Sequence, residues 1–199
     1  MTARFLDLTL TPDVKAAQAR YYGRSLAVSP AGGQDRLGED EAAFISALDN
    51  FYLATVNQDG WPYVQHRGGP KGFLKVLGPS ELGFADFKGN RQLLSAGNLA
   101  RDGRVCLILM NYPLRARLKI LGRAEVLDPR EEPQLARALT PPGREGATER
   151  LFRIQVEAYD WNCPQHITPR FTEEEISQAV RPLQDRITEL EAELERLKR

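Results

Sequence analysis

The clearest chemical signal in the chain is a set of basic residues through its middle: Arg67, Lys75, Arg91, Arg115, Arg117, Lys119 and Arg123. Residues 61–123 hold eleven Lys and Arg against three Asp and Glu, whereas from residue 172 onward the balance is five basic to eight acidic. A phosphate monoester at neutral pH carries roughly −1.5 to −2 charges and several acceptor oxygens. It is met by Arg or Lys donors, and well by backbone N–H groups at a helix start. Gly89-Asn90-Arg91-Gln92 offers these together: glycine permits close backbone approach, and the pattern predicts a short helix over residues 90–98 that ends near Gly97. Singly, such charges equally fit the solvated outer face of a half-buried barrel. Their one sign and one region favour an anion site, without naming the ligand.

Other chemistries find less support. There is no nucleophile elbow, Walker loop, dinucleotide glycine fingerprint or zinc pattern. His66 and His166 are the only histidines, so one chain cannot build a multi-histidine metal site. Cys106 and Cys163 lack the spacing of a disulfide framework, and Cys106, inside the run VCLILM, reads as a small buried hydrophobe. A formal net charge of zero argues against nucleic acid as the main partner. No run reaches the roughly 18–20 apolar residues of a membrane span, and the first residues lack a leader pattern, so the expected compartment is a reducing cytoplasm.

The elements that must position the basic residues can be read in order. Thr11-Pro12-Asp13 predicts a capped helix running to about Tyr22 and stopping at Gly23. Residues 29–38 read as a loop, and residues 39–48 as a helix with Ala43, Phe44, Ala47 and Leu48 on one face. Period-2 strands follow over residues 51–56, 61–66, 73–77 and 82–87, the first two joined by the Asn57-Gln58-Asp59-Gly60 turn. Residues 105–110 are a continuous apolar run, expected to be a buried central strand. Residues 118–127, with a glycine that could bend them, and 150–161 complete the strands, and a helix is expected from Pro129 to about Leu139. About six short antiparallel strands with brief turns make a barrel, which removes exposed sheet edges.

The tail has a different grammar. Thr172 and Glu175 form a capping box. Val180, Leu183, Ile187, Leu190, Leu194 and Leu197 then alternate three and four apart as a heptad seam, interrupted by Pro182, which is expected to kink or restart the helix. Arg186 with Glu191, and Glu193 with Lys198, are opposite in sign at the offset of a parallel pair. The helix either lies on its own barrel or pairs with a second copy. The expected organisation is therefore an N-terminal helix and loop (1–38), a barrel domain (39–170) and an amphipathic helix (171–199).

Residues 51–127 resemble the FMN-binding split barrels related to pyridoxamine 5′-phosphate oxidase. The likeness is carried by YLATVNQDGWPYVQHRGG, GFLKVLG, LGFADFKGNRQ, RVCLILMNYP and RLKILGRAEVL, in that order, and by a later WNCPQHITPRF. The resemblance implies a mainly β, antiparallel split β-barrel, flanked by N-terminal helices and a C-terminal heptad-type helix. It further implies FMN as cofactor and a homodimer with the flavin at the subunit interface, acting on a small-molecule redox substrate. By the same resemblance, Arg67 and Lys75 grip the phosphate and the flavin edge. Ala85 and Asp86 belong to the strand that runs along the flavin. Asn90, Arg91 and Gln92 fall on the phosphate-binding turn, where Gln92 replaces a common lysine, and Arg117 reaches the cofactor from the next strand. Trp161, Gln165 and His166 match the partner segment that closes the site, with a core aromatic and a loop histidine as their structural alternatives. The B6 oxidase's own C-terminal substrate-binding element is absent, so the likeness implies the cofactor rather than that reaction. A flavin-binding sensor without turnover, or the same barrel holding haem or a deazaflavin, are the alternatives.

Overall fold

The computed structural model describes residues 2–89, 91–144, 146–161 and 165–198. Helices α1 (Ala3–Thr9), α2 (Pro12–Tyr22) and α3 (Glu39–Ser46) precede strands β1 (Asn50–Val56), β2 (Pro62–Gly68), β3 (Lys75–Gly78) and β4 (Glu81–Phe87). After α4 (Leu94–Leu99) come β5 (Arg104–Asn111) and β6 (Ala116–Leu127), then α5 (Pro133–Leu139), β7 (Thr148–Trp161) and α6 (Glu173–Leu197). The seven strands form one sheet in the order β2-β1-β5-β6-β7-β4-β3, antiparallel at every pairing. The fold is mainly β, a split barrel, and its two end strands β2 and β3 are not paired with each other among the described residues.

Local chemistry explains the strand ends. The Asn57 side-chain oxygen accepts from the backbone N–H groups of Asp59 (3.0 Å) and Trp61 (2.8 Å), while Gly60 takes φ +85°. That turn sets the β1–β2 register, with Val56 opposite Pro62 and Phe51 opposite Arg67. The inner face of the sheet is filled by aromatic rings. Phe51 stacks on Phe73 with centroids 5.5 Å apart, and Phe84 stacks on Phe152 at 4.6 Å. Each fully buried large side chain of this kind contributes roughly 1.5–3 kcal/mol.

The helices depart from expectation in several places. An unforeseen helix, α1, starts on Thr2, whose hydroxyl caps Phe5 N–H and donates to Asp35, and it buries Phe5 against the barrel. The helix at Pro12 forms and stops at Gly23 (φ +68°) as its caps dictate. Helix α3 ends at Ser46 rather than Leu48 and turns Glu41 and Ile45 inward, with Phe44 packed against the core and Leu48 buried just beyond. Ala43 and Ala47 are exposed because the larger apolar side chain at Ile45 outweighs the two alanines. Helix α4 starts at Leu94 rather than Asn90 and runs through Gly97 to Leu99; the left-handed backbone of Arg91 (φ +60°) and Leu93 (φ +55°) bars an earlier start. Helix α5 starts at Pro133, the position its missing N–H favours, rather than at Pro129.

Strand β5 is not buried on both faces. Val105, Leu107 and Leu109 point into the core, while Cys106, Ile108 and Met110 are half-buried on the outer face. An antiparallel sheet of this kind covers only one face within one chain. Register then joins the outer residues into rows: Val64, Ala54, Cys106 and Leu121 in one, His66, Tyr52, Ile108 and Lys119 in the next. Tyr52 and Val64 are exposed.

Helix α6 has its capping box at Thr172 and Glu175 and continues through Pro182. It buries none of its residues and does not lie on the barrel.

Gly122 marks a register shift between β6 and β7, and a Cβ there would meet the carbonyl oxygen of Gln155 at 2.5 Å. Backbone cannot give way as a flexible side chain can. Gly122→Ala is therefore expected to destabilise the fold by about 1–3 kcal/mol, read as a lower urea midpoint with unchanged slope.

Candidate functional site

Alternation along β2 sends Tyr63, Gln65 and Arg67 to the inner side and leaves Pro62, Val64 and His66 exposed. Arg67 lies over two aromatic faces, 5.7 Å from the Phe84 centroid and 5.1 Å from that of Phe152. Its Nη1 donates to Asp86 Oδ1 at 2.7 Å, and Arg150 Nε donates to Asp86 Oδ2 at 2.9 Å. The β4–β7 register creates this arrangement by setting Asp86 opposite Arg150. Arg150 also donates to Glu149 at 3.0 Å. Burial pushes the Arg67 guanidinium below its ordinary value, and neighbouring Asp86 opposes that shift. Arg67 Nε is buried without a hydrogen-bond partner among the described residues. A buried donor of that kind is costly unless an acceptor reaches it.

These groups line a cleft of about 180 Å³. Its other wall is the segment from Gly89 through Arg91, Gln92 and Leu93 to Ala96 at the start of α4. Arg91 and Leu93 both hold left-handed φ values, a conformation that costs a non-glycine residue about 1–3 kcal/mol and that clusters at functional sites. Helix α4 is moored by two hydrogen bonds, Ser95 Oγ to Gln65 Oε1 (3.0 Å) and Asn98 Nδ2 to Thr55 Oγ1 (2.9 Å). Arg67, Arg91 and Arg150 line the cleft with Asp86, and Glu149 bonds Arg150 from beside it, which leaves an excess of one positive charge.

Of the residues singled out from the sequence, Arg67, Asp86, Arg91 and Gln92 are brought together in this cleft. Ala85 points the other way, into a small cluster with Leu139 and Leu151. Lys75 is exposed on β3 and is not among the lining residues. Arg117 stands beside Met110, on the outer face of the sheet with Lys119. Trp161 packs edge-on against Phe44 (4.7 Å between centroids), and its indole N–H donates to Glu41 Oε1 at 2.7 Å. Gln165 and His166 are exposed in the turn after β7, His166 with φ +66°. Asn90 and Cys163 lie outside the described residues.

Tyr63, Gln65, Ser95, Arg150 and Phe152 also line the cleft and were not singled out from the sequence. For Tyr63 and Gln65 the signal was present, since they share the face of Arg67 two and four residues away. For Arg150 there was none, because its place depends on pairing with a strand more than sixty residues earlier.

The split barrel thus carries a cationic cleft lined from β2, β4, β7 and the segment before α4. Residues 37–162 match the family model for pyridoxamine 5′-phosphate oxidase. The chain belongs to the pyridoxamine 5′-phosphate oxidase family, whose members generally bind flavin. Among solved structures, it is similar to a Lactobacillus delbrueckii protein described as a candidate pyridoxamine 5′-phosphate oxidase, at 24% identity and TM-score 0.50 over 63% of this chain and 93% of that one. It is also similar to HupZ of Group A Streptococcus, at 14% identity and TM-score 0.50 over 68% of this chain and 99% of that one. These likenesses establish the fold. No curated protein matches the chain. No helix among the described residues is long and apolar enough to cross a membrane.

The Trp161–Glu41 bond has a pH signature. Burial pushes the Glu41 carboxyl up, but hydrogen bonds from Trp161 and from backbone N–H groups hold it below its ordinary 4.5. A depressed carboxyl stabilises the fold fully above 4.5 and loses that contribution as pH falls through its lower folded value. Trp161→Phe keeps the ring against Phe44 and removes the bond. It is expected to cost about 1–2 kcal/mol at pH 7, a deficit that narrows below pH 4.5 in urea titrations run at both pH values.

Proposed function

We propose that the chain binds FMN with the phosphate in the Arg67–Arg91–Arg150 cleft and acts as a homodimeric, FMN-dependent oxidoreductase. It is related to pyridoxamine 5′-phosphate oxidase without being that enzyme. The observation that carries the reading is the charge of the cleft. Three guanidiniums line one cleft and outnumber the two carboxylates bonded to them, Asp86 and Glu149, which suits an anionic group such as a phosphate monoester.

Size supports the dimer. A cleft of about 180 Å³ is smaller than the roughly 300–1,000 Å³ of whole ligand sites, so one chain houses one end of a molecule the size of FMN. The remaining wall would come from a second copy of the chain. Arg67 and Arg91 would hold the phosphate, and Asp86 would keep Arg67 and Arg150 in place. Gln92 would add a neutral donor where the family often has a lysine. The β4 backbone at Ala85 would run along the ring, with Asn90 on the phosphate turn and Lys75 at the flavin edge. Arg117, Gln165 and His166 would close the site across the interface, with Trp161 fixing the start of that segment through Glu41. Bound FMN would supply hydride or electron exchange with a small-molecule substrate, so no nucleophilic side chain is required.

The purified protein is expected to show flavin absorption bands, or to gain them on reconstitution. FMN should bind about ten- to a hundredfold more tightly than riboflavin, the scale of one or two charge-assisted hydrogen bonds. Arg91→Ala should erase most of that difference in fluorescence titrations, and Arg67→Ala with Arg91→Ala should abolish retention. A colourless protein that cannot be reconstituted, or one carrying a haem or deazaflavin spectrum, overturns the proposal.

A further inference from the structure

Helix α6 leaves the barrel beside Asn50, Met110 and Tyr112, which line a hollow together with Thr172 and Glu175. Beyond that point none of its residues is buried, and its apolar side chains are between 37% and 78% exposed. Because the helix begins at Glu173, Ile176 joins the seam, which now spans three heptads. The a positions are Val180, Ile187 and Leu194; the d positions are Ile176, Leu183, Leu190 and Leu197. β-Branched residues at two of three a positions with leucine at three of four d positions are the pattern of two-stranded parallel coils. Pro182 falls at a c position, on the outward side, so it leaves the seam whole. A solvated helix with a proline in its interior and a bare apolar stripe is unfavourable alone. It needs a partner along that stripe.

The flanking charges identify the partner. At the g positions stand Arg186 and Glu193; at the e positions five residues on stand Glu191 and Lys198. Two identical helices in parallel register therefore pair Arg186 with Glu191 and Glu193 with Lys198, twice over by symmetry. Within one helix Arg186 and Lys198 bond Glu189 and Glu195, all on well-exposed side chains that are free to re-pair. We infer that α6 forms a parallel, in-register, two-stranded coiled coil with α6 of a second copy of this chain. The inference goes beyond the flavin reading and does not depend on it.

Disulfide trapping tests it in the full-length chain carrying Cys106→Ala and Cys163→Ala. Leu190→Cys, at a d position, should cross-link to a covalent dimer nearly to completion under mild oxidation at low micromolar concentration. Thr188→Cys, two residues away at an outward b position, should stay monomeric on a non-reducing gel. Arg186→Glu should lower the Leu190→Cys yield several-fold, and adding Glu191→Arg should restore it. Equal trapping at positions 188 and 190, no trapping at 190 (the outcome of antiparallel or heterologous pairing), or no charge rescue would each overturn the inference. Flavin retention by the same variants is a separate readout, so failure of one proposal leaves the other standing.

Discussion

Among the described residues no backbone ladder joins the two ends of the sheet, and a carboxylate held between two guanidiniums spans them instead. Arg67 comes from β2, one end strand; Asp86 and Arg150 come from β4 and β7 near the other end. Two unit charges about 4 Å apart interact by roughly 4 kcal/mol at an effective dielectric near 20, so the link is significant where it is shielded. The side chains of Arg67 and Asp86 are 13% and 14% exposed, and two phenyl rings lie beneath the guanidinium. The same link sets the character of the cleft. Asp86 occupies one nitrogen of Arg67 and neutralises one of three cations, leaving a pre-oriented, still positive surface rather than a collapsed ion pair.

Such a surface carries a cost within the free chain. Arg67 and Arg150 repel one another across Asp86, and the turn facing them holds two non-glycine residues in left-handed backbone. The stacked phenylalanines behind the site and the paired strands on either side offset that strain. Strain concentrated on the wall of a charged cleft, with the rest of the barrel regular, is the distribution expected where a ligand supplies the missing interaction.

How far the sequence specifies this arrangement depends on the range of the interaction involved. Features decided within four or five residues were readable. They include the Thr11 and Thr172 caps, the Asn57–Gly60 turn, the Gly23 stop and the alternation of β2. Features decided by a neighbour far along the chain were not. Residues 90–98 carry a helix-like composition, yet the backbone at Arg91 and Leu93 delays the helix to Leu94. Around α3, Phe44 and Leu48 meet the core as their pattern predicts, but Ala43 and Ala47 do not, because alanines are weak evidence beside Ile45. The VCLILM run looks wholly buried in sequence, but antiparallel partners on both sides leave its alternate residues facing outward. At the site, Arg67, Asp86, Arg91 and Gln92 could be collected from family-like motifs. Arg150 could not, since only the β4–β7 register identifies it.

Three unfinished features of the single chain share one geometry. The cleft is smaller than a typical whole ligand site, the outer row of Val64, Ala54, Cys106 and Leu121 is apolar and only partly covered, and the α6 seam faces solvent. Each alone admits several explanations. Together they are constrained, because β1 and β5 carry the apolar row and also end where α6 begins, at Asn50 and Met110. A closed, two-fold assembly uses each of these surfaces once and leaves none open to further addition. An antiparallel pairing of the tails would forgo the self-complementary charges at Arg186, Glu191, Glu193 and Lys198, which match only in a parallel register.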